Sequence, residues 1–225
     1  MLPHVTDRAR PRTLAERALE DLQEAILSGE LEPGAPLRLE KLAQALDMSP
    51  MPVREAIRQL EALGLAEHVP HRGARVSTLS LADLRDTYEA RLALETVAVR
   101  RAAERFTDED AQRARRRLAE HVEAYRAGDV RRGRDAHAAF HLALYEASGS
   151  SWLPRLIRPL WENSERYRIA ALHASGSLER RHREHLRILD ACVARDPDAA
   201  EDALRAHLTA TANLVAHWMG EGDLF

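Results

Sequence analysis

Apolar residues recur at the three-to-four-residue spacing of an α-helix through most of this chain, which predicts a mainly α-helical protein. The first third holds three such helical segments, over residues 13–28, 39–46 and 49–63. Two short apolar segments follow at 65–69 and 74–77, and the turn Pro70-His71-Arg72-Gly73 joins them. Strands around a turn that contains glycine are typical of a β-hairpin. The first third therefore predicts a winged helix-turn-helix, with three helices and a two-stranded β-wing.

The rest of the chain has helical periodicity only. Short polar, glycine or proline breaks divide it into segments near 80–105, 107–127, 129–148, 151–173, 178–195 and 197–219. Helices of this length joined by short loops predict an antiparallel bundle of about six helices. Residues 1–12 are polar and hold two prolines, so they predict a mobile arm. The predicted domains are thus a winged helix-turn-helix over 13–78 and an all-helical domain over 80–220.

The composition bears on the cellular compartment and on binding to membranes or nucleic acid. Hydrophobic residues make up 45% of the 225 residues, but no apolar run is long enough to span a bilayer, so no membrane partner is expected. The single cysteine, Cys192, cannot form an intramolecular disulfide, which favours a reducing cytoplasm. The formal net charge of −3 provides no general attraction to nucleic acid. Any contact with DNA must therefore come from arginines placed locally.

The third predicted helix has the features of a helix that reads DNA. In a helix-turn-helix, residues at the start of the second helix of the motif meet base edges in the major groove. An arginine there can bind guanine through two hydrogen bonds, while a wing tip reaches the minor groove or phosphates. The alternative is a small α/β module with ordinary solvated arginines. The candidate DNA-binding residues are Ser49, Met51, Arg54, Arg58, His71, Arg72 and Gly73.

Histidines are frequent, with eleven in the chain, and two of them are spaced as metal ligands. His137 and His141 are four residues apart, so their imidazoles project from one face of a helix. His185 and His207 lie on the last two predicted helices. Spacing alone leaves open whether these four meet at a metal ion or lie separately on helix surfaces. A surface position is expected for His121 and for most of the other helical histidines.

Several sequence runs resemble a known family of regulators. A resemblance to the DNA-binding domain of the GntR superfamily of bacterial transcriptional regulators is carried by AILSGELEPGAPL, LAQALDMSPMPVREAIRQLEALGL and HRGARV. Four later runs resemble the all-helical, FCD-like ligand domain of its FadR-type subfamily: YEARLALETVAVRRAAER, HAAFHLALYEASGS, REHLRILDACVARD and DALRAHL. The resemblance implies a cytoplasmic, nucleoid-associated repressor or activator. It would bind double-stranded operator DNA as a homodimer, under the control of a small carboxylate effector.

The chain departs from the family pattern at the start of the reading helix. Family members often carry Arg or Thr between the serine at the helix cap and the PVRE run. Pro50 and Met51 occupy those places here, which removes polar contacts and offers an apolar side chain to a thymine methyl group. The operator sequence therefore cannot be carried over from relatives.

A second departure concerns the metal site that the resemblance implies. Many ligand domains of the FadR-type subfamily bind a divalent metal through an acidic residue four positions before the histidine of a Phe-His pair, through that histidine, and through two later histidines. Phe140-His141, His185 and His207 match that pattern, but His137 stands at the acidic position. The implied site therefore holds four imidazoles, which suit Zn²⁺ or Ni²⁺ better than oxygen-seeking cations.

Three residues are candidates for effector binding. Arg91 resembles an arginine that points into the ligand cavity of relatives, where a guanidinium can hold a carboxylate through two hydrogen bonds. Its structural alternative is an ion pair with Glu95, four residues later. Tyr167 and Arg168 are the other two candidates.

Two other functional classes are alternatives to the regulator, each with the DNA-binding module attached. One is a metal-dependent hydrolase, and the other is a purely structural helical domain. The sequence has no HExxH, GxSxG or glycine-rich phosphate loop, so it predicts no enzyme activity.

Overall fold

The computed structural model describes residues 13–171 and 178–225. The chain divides into two compact units, Met1–Thr78 and Leu79–Phe225. The mobile arm predicted for residues 1–12 lies outside the described residues. Within the described ranges, no helix is both long enough and apolar enough to cross a bilayer.

The first unit has the predicted winged helix-turn-helix. Its helices are α1 (Leu14–Leu27), α2 (Leu39–Ala45) and α3 (Pro50–Ala62), and its strands are β1 (Pro36–Leu37), β2 (Ala66–Val69) and β3 (Gly73–Val76). The strands form an antiparallel sheet in the order β1-β3-β2. The hairpin of β2 and β3 is the predicted wing. Strand β1 was not predicted, because two residues are too short to show the alternation that marks a strand.

Helix α1 shows how the local sequence sets the start and the buried face of an element. Thr13 caps the helix by accepting a hydrogen bond from the backbone N–H of Glu16, and the Glu16 carboxylate accepts one from the backbone N–H of Thr13 in return. Such a capping box satisfies two N–H groups that a helix end leaves without partners. The buried residues Ala18, Leu22 and Ile26 then repeat at helical spacing and pack into the core of this unit.

The second unit is the predicted bundle, with six helices in its described part. They are α4 (Leu81–Arg105), α5 (Asp108–Arg126), α6 (Val130–Glu146), α7 (Leu153–Ala170), α8 (Leu178–Val193) and α9 (Pro197–Trp218). Capping residues lie at the breaks between these helices. Thr107 and Asp110 form a capping box at the start of α5, and Asp196 caps α9 just before a proline at its first position.

Helix α4 lies at the centre of the bundle, in contact with α6, α7, α8 and α9. Most of its buried side chains are apolar, but four are polar or charged: Thr87, Arg91, Glu95 and Thr96. Burying charged groups costs free energy unless they are paired, and Glu95 is bonded through Tyr145 to His141 of α6. The buried charges of α4 therefore lead to the functional centre of this unit.

Candidate functional site

Four buried histidines meet inside the second unit. His137 and His141 lie on α6, His185 on α8 and His207 on α9. One ring nitrogen of each lies within 4.8 Å of those of the other three. The structure therefore brings together all four candidate metal ligands of the sequence, and we call them the histidine cluster.

In two members of the cluster, a neighbouring residue outside the cluster determines which ring nitrogen carries the proton. His207 Nδ1 lies 3.0 Å from the carboxylate of Glu184, which can only accept, so Nδ1 carries the proton. His141 Nδ1 lies 3.1 Å from the hydroxyl oxygen of Tyr145, and that hydroxyl donates its own proton to Glu95. His141 Nδ1 therefore carries a proton as well. In both residues, the lone pair is left on Nε2, which is the arrangement found around metal-bound histidines.

His137 has the opposite arrangement. Its Nδ1 lies 2.9 Å from Arg168 Nη2, and its Nε2 lies 2.9 Å from His185 Nε2 and 3.1 Å from His141 Nε2. An arginine is always protonated and can only donate, so His137 Nδ1 is the acceptor and Nε2 carries the proton. His185 differs again, because within the described part of the chain its buried Nδ1 has no hydrogen-bond partner.

Burial keeps three members of the cluster, His137, His141 and His185, uncharged. The pKa values of His137, His141 and His185 are well below that of a free imidazole, chiefly because desolvation disfavours the imidazolium form. Neighbouring positive groups, including Arg168, lower these pKa values further. Neutral imidazole is the form that binds metal ions, so His141 and His185 need not lose a proton before they ligate one.

A fifth histidine lies beside the cluster, and its predicted surface position is wrong. His121 of α5 is 3% exposed, its ring centroid is 4.9 Å from that of His137, and its Nδ1 lies 2.8 Å from the carbonyl oxygen of Gly133. Burial lowers the pKa of His121 to about 4. The sequence held a signal for this, because His121 follows the buried Ala114 and Leu118 at helical spacing. Gly133 also fits this close packing, since a Cβ there would lie 2.6 Å from the Tyr125 ring.

A cavity of about 50 Å³ adjoins the histidine cluster. This is room for an ion and a few water molecules, and less than the volume of a typical drug-sized site. Its lining holds more positive than negative side chains, which favours an anionic occupant. The charged lining residues are Arg91, Arg134, Arg168, Arg180, Arg181, Glu165 and Glu184.

The three predicted effector-binding residues lie in different surroundings. Arg91 lines the cavity but forms the alternative ion pair with Glu95, with Nε–Oε1 and Nη2–Oε2 distances of 2.5 and 3.3 Å. Arg168 lines the cavity and contacts both His137 and Glu165. The structure does not bring Tyr167 to this cavity. Successive helical residues point about 100° apart, so Tyr167 turns away from it and toward the start of α4.

The predicted DNA-binding residues lie in the first unit. Met51 is 67% exposed, and Arg54 and Arg58 are exposed one helical turn apart on α3. Neither guanidinium makes an ion pair with another residue of the described ranges. His71, Arg72 and Gly73 are exposed at the wing tip. Gly73 has a φ of 86° and His71 one of 62°, so both lie in the left-handed region that makes this turn tight.

Ser49 is the N-cap residue of α3, but its side chain makes no capping hydrogen bond. A capping serine accepts from the N–H of the second or third helical residue. Pro52 is the third and has no N–H, which removes one of the two donors. The Ser49 hydroxyl is exposed at the start of the helix instead.

Both units match described protein families. Residues 14–76 match "Bacterial regulatory proteins, gntR family", and residues 86–210 match the FCD domain. The HTH-type transcriptional regulator BphR of Paraburkholderia xenovorans (strain LB400) is 32% identical over 218 residues, covering 92% of this chain and 87% of that protein. The HTH-type transcriptional repressor GlaR of Escherichia coli (strain K12) is 30% identical over 211 residues, covering 88% of this chain and 94% of that protein. Among solved structures, E. coli McbR/YncC is similar, with a TM-score of 0.80, 25% identity and coverage of 93% of this chain and 100% of that chain.

These relatives are regulators of transcription, and they match this chain over nearly its whole length. The alternative of a metal-dependent hydrolase is therefore rejected, and the prediction that the protein is not an enzyme is confirmed. The chain belongs to the GntR family of bacterial regulatory proteins, and it is a transcriptional regulator whose helical unit is an FCD domain.

Proposed function

We propose that this regulator binds operator DNA as a homodimer, and that a small carboxylate bound beside a Zn²⁺ or Ni²⁺ ion controls its operator affinity. The observation that carries the proposal is the convergence of four buried histidines on one point beside an arginine-rich cavity. A ligand that binds two states of a protein unequally shifts their populations, and operator affinity follows.

The DNA-reading part of the proposal rests on the exposed face of α3 and on the wing tip. Arg54 has the geometry to bind O6 and N7 of a guanine, and Ser49 and Met51 precede it at the start of the helix. Arg58 lies one turn later, where contacts go to the DNA backbone. His71, Arg72 and Gly73 at the wing tip are the residues that would reach the minor groove or phosphates.

The histidine cluster fits a transition-metal ion by three observations. Its nitrogens are close enough to share one ion. The outer partners of His141 and His207 leave their lone pairs on Nε2, and the buried Nδ1 of His185 lacks a partner in the described part of the chain. Imidazole ligands favour Zn²⁺ or Ni²⁺ over Mg²⁺ or Ca²⁺. The bound ion would supply a positive centre for an anionic effector.

The cavity supports a small carboxylate as the effector. Arg168 is the positive side chain that lies against the cluster itself, and Arg91 lines the same cavity with its charge already paired to Glu95. A cavity of about 50 Å³ accepts only a small molecule unless the bundle opens. A short carboxylate, with one oxygen on the ion and the other near Arg168, satisfies both constraints.

The homodimer is proposed because helix-turn-helix regulators read two half-sites with two copies of the motif. Trp152 and Leu156 support it, because they lie one helical turn apart at the start of α7 and are 65% and 49% exposed. Neighbouring exposed apolar side chains are typical of a surface that a partner covers. Light scattering of the purified protein tests this part, and a monomer at operator-binding concentrations would contradict it.

The experiment that tests the whole proposal combines metal content with operator binding. Operators are first selected from random DNA, and affinity is measured by fluorescence anisotropy with and without small carboxylates, before and after chelation. We expect stoichiometric Zn²⁺ or Ni²⁺, and a carboxylate response that chelation abolishes. His141→Ala should lose the metal and the response, whereas His217→Ala, at an exposed position on α9, should keep both. Metal-free protein with an unchanged response would contradict the proposal.

A further inference from the structure

Within the histidine cluster, the four side chains are not equivalent. The outer partners of His141 and His207 place a proton on Nδ1 and leave Nε2 free to bind a metal. Arg168 does the reverse to His137, because its guanidinium donates to Nδ1 at 2.9 Å and forces the proton onto Nε2. A nitrogen that carries a proton has no lone pair in the ring plane and cannot bind a metal ion. His137 is therefore held in the form that does not ligate.

Two further contacts hold Arg168 in place. Its Nη1 donates to the carboxylate of Glu165 at 2.7 Å, and its guanidinium lies 5.0 Å from the ring centroid of Trp161. Glu165 is 3% exposed and the Arg168 side chain 15%, so the pair is largely screened from water. Moving Arg168 away from His137 would disturb a largely buried ion pair, which is costly. Arg168, which keeps the proton of His137 on Nε2, is thus held in position by its own contacts.

We infer that His141, His185 and His207 are the metal ligands, and that His137 instead donates an Nε2–H hydrogen bond to an anionic oxygen bound to the metal ion. The inference rests on the proposed metal site, and it assigns a different role to one of the four histidines. It replaces the reading of the sequence in which His137 simply substitutes for the acidic ligand of relatives.

Electrostatics explains why the anion is needed. In the structure, His137 Nε2–H points at the nitrogens of His185 and His141, which lie 2.9 and 3.1 Å away. A metal ion that takes those lone pairs leaves this N–H facing a positive charge, with Arg168 on the other side of the same ring. An oxygen of a carboxylate on the ion would accept the N–H bond and reduce the net positive charge around this ring. The site should therefore bind metal and anion cooperatively.

The tautomer of His137 provides a direct test on the intact protein. Long-range ¹H–¹⁵N spectra of the imidazoles are recorded on the Zn²⁺-loaded protein with acetate as the anion. We expect His137 to carry its proton on Nε2, and His141 and His207 to be coordinated through Nε2 with the proton on Nδ1. The His137→Leu variant identifies the His137 signals by their loss. A spectrum in which His137 Nε2 is metal-coordinated would overturn the inference.

Metal and anion affinities provide the second test. Zn²⁺ affinity in competition with a chelator should fall by less than about 100-fold in His137→Leu, the range for a residue outside the ligand set, but by more than that in His141→Leu, because only the latter removes a ligand. Acetate binding to Zn²⁺-loaded His137→Leu should weaken by about 10-fold or more, since a hydrogen bond to a charged group is lost. A loss of Zn²⁺ affinity above that limit in His137→Leu, or unchanged acetate affinity, would contradict the assigned role. Absence of Zn²⁺ binding in the wild type would refute the proposed function as well, so the two failures are distinguishable.

Discussion

Arg91 and Glu95 form an ion pair between two buried side chains one turn apart on α4, with exposed fractions of only 3% and 0%. Arg91 also donates to Ser164 Oγ at 2.9 Å, and Glu95 accepts from Tyr145, which contacts His141. A continuous chain of hydrogen bonds thus runs from the arginine to the histidine cluster. A carboxylate effector that contacts Arg91 must share it with Glu95.

Removing Arg91 is expected to destabilise the helical unit strongly. Arg91→Ala leaves the Glu95 carboxylate buried without its positive partner, and breaking a buried pair in this way costs about 3–5 kcal/mol. The matched control is Arg205→Ala, which removes an exposed arginine from a pair with Glu201 and should cost about 1 kcal/mol or less. The measurement is the free energy of unfolding in urea. Similar losses for the two variants would show that Arg91 is not held as the structure has it.

The fold of this protein can be read from its sequence because its periodicity and its breaks agree. All six helices of the bundle were predicted, and the wing was predicted from two apolar segments and Gly73. Strand β1 was missed because its pairing with β3 depends on a contact between residues 36 and 75, which local periodicity does not contain. The local sequence thus predicts the helices and the wing, but it does not predict strand pairing between residues far apart in the chain.

The candidate site was only partly predictable, for the same reason. His137 and His141 share a helix face, so their proximity follows from spacing, and the resemblance to the family added His185 and His207. Nothing in the sequence indicates that Arg168, 31 residues after His137, would contact its Nδ1. That contact changes the chemistry of the site, because it decides which nitrogen carries the proton. The identity of the residues was therefore predictable, but their roles were not.

The two exposed arginines of α3 are expected to contribute differently to DNA binding. Arg54→Ala should cost about 1–3 kcal/mol on a selected operator and relax the preference at one base pair, because a contact to a base edge is lost. Arg58→Ala should weaken binding to all sequences and lower the salt dependence by about one unit, as expected for a phosphate contact. Anisotropy titrations on operator and random DNA at several salt concentrations distinguish the two. If Arg54→Ala lowers affinity equally for both DNAs, Arg54 contacts the backbone instead.

The thiol of Cys192 is expected to make stability fall at alkaline pH. Burial raises the pKa of this thiol to about 12, against 9.0 for an exposed one. The folded state therefore holds the proton more tightly than the unfolded state, so this stabilisation is complete below pH 9 and is lost as the pH rises from there toward 12. Between pH 9 and 10.5, the unfolding free energy of the wild type should fall more steeply than that of Cys192→Ala, by a difference that rises to about 1.4 kcal/mol per pH unit. Parallel pH profiles would show that Cys192 is accessible to water.

Tyr167 and Arg168 are neighbours on α7 whose substitutions should have separate effects. The Tyr167 hydroxyl donates to Asp83 Oδ2 at 2.5 Å and lies 3.2 Å from the backbone carbonyl oxygen of Ser80, at the start of α4. Tyr167→Phe should lower the free energy of unfolding by about 1 kcal/mol, through the lost hydrogen bond, and leave acetate binding to the Zn²⁺-loaded protein unchanged.

Arg168→Met, unlike Tyr167→Phe, should weaken acetate binding, because it removes a positive charge from the cavity lining and the donor to His137. Acetate binding, measured by titration calorimetry on Zn²⁺-loaded protein, should weaken by about 10-fold or more, since hydrogen bonds to charged groups contribute about 1.5–3 kcal/mol. Unfolding in urea measures the loss of stability in both variants, Arg168→Met and Tyr167→Phe. Weaker acetate binding in Tyr167→Phe would place Tyr167 at the effector after all, as the sequence suggested. Unchanged binding in Arg168→Met would remove Arg168 from it.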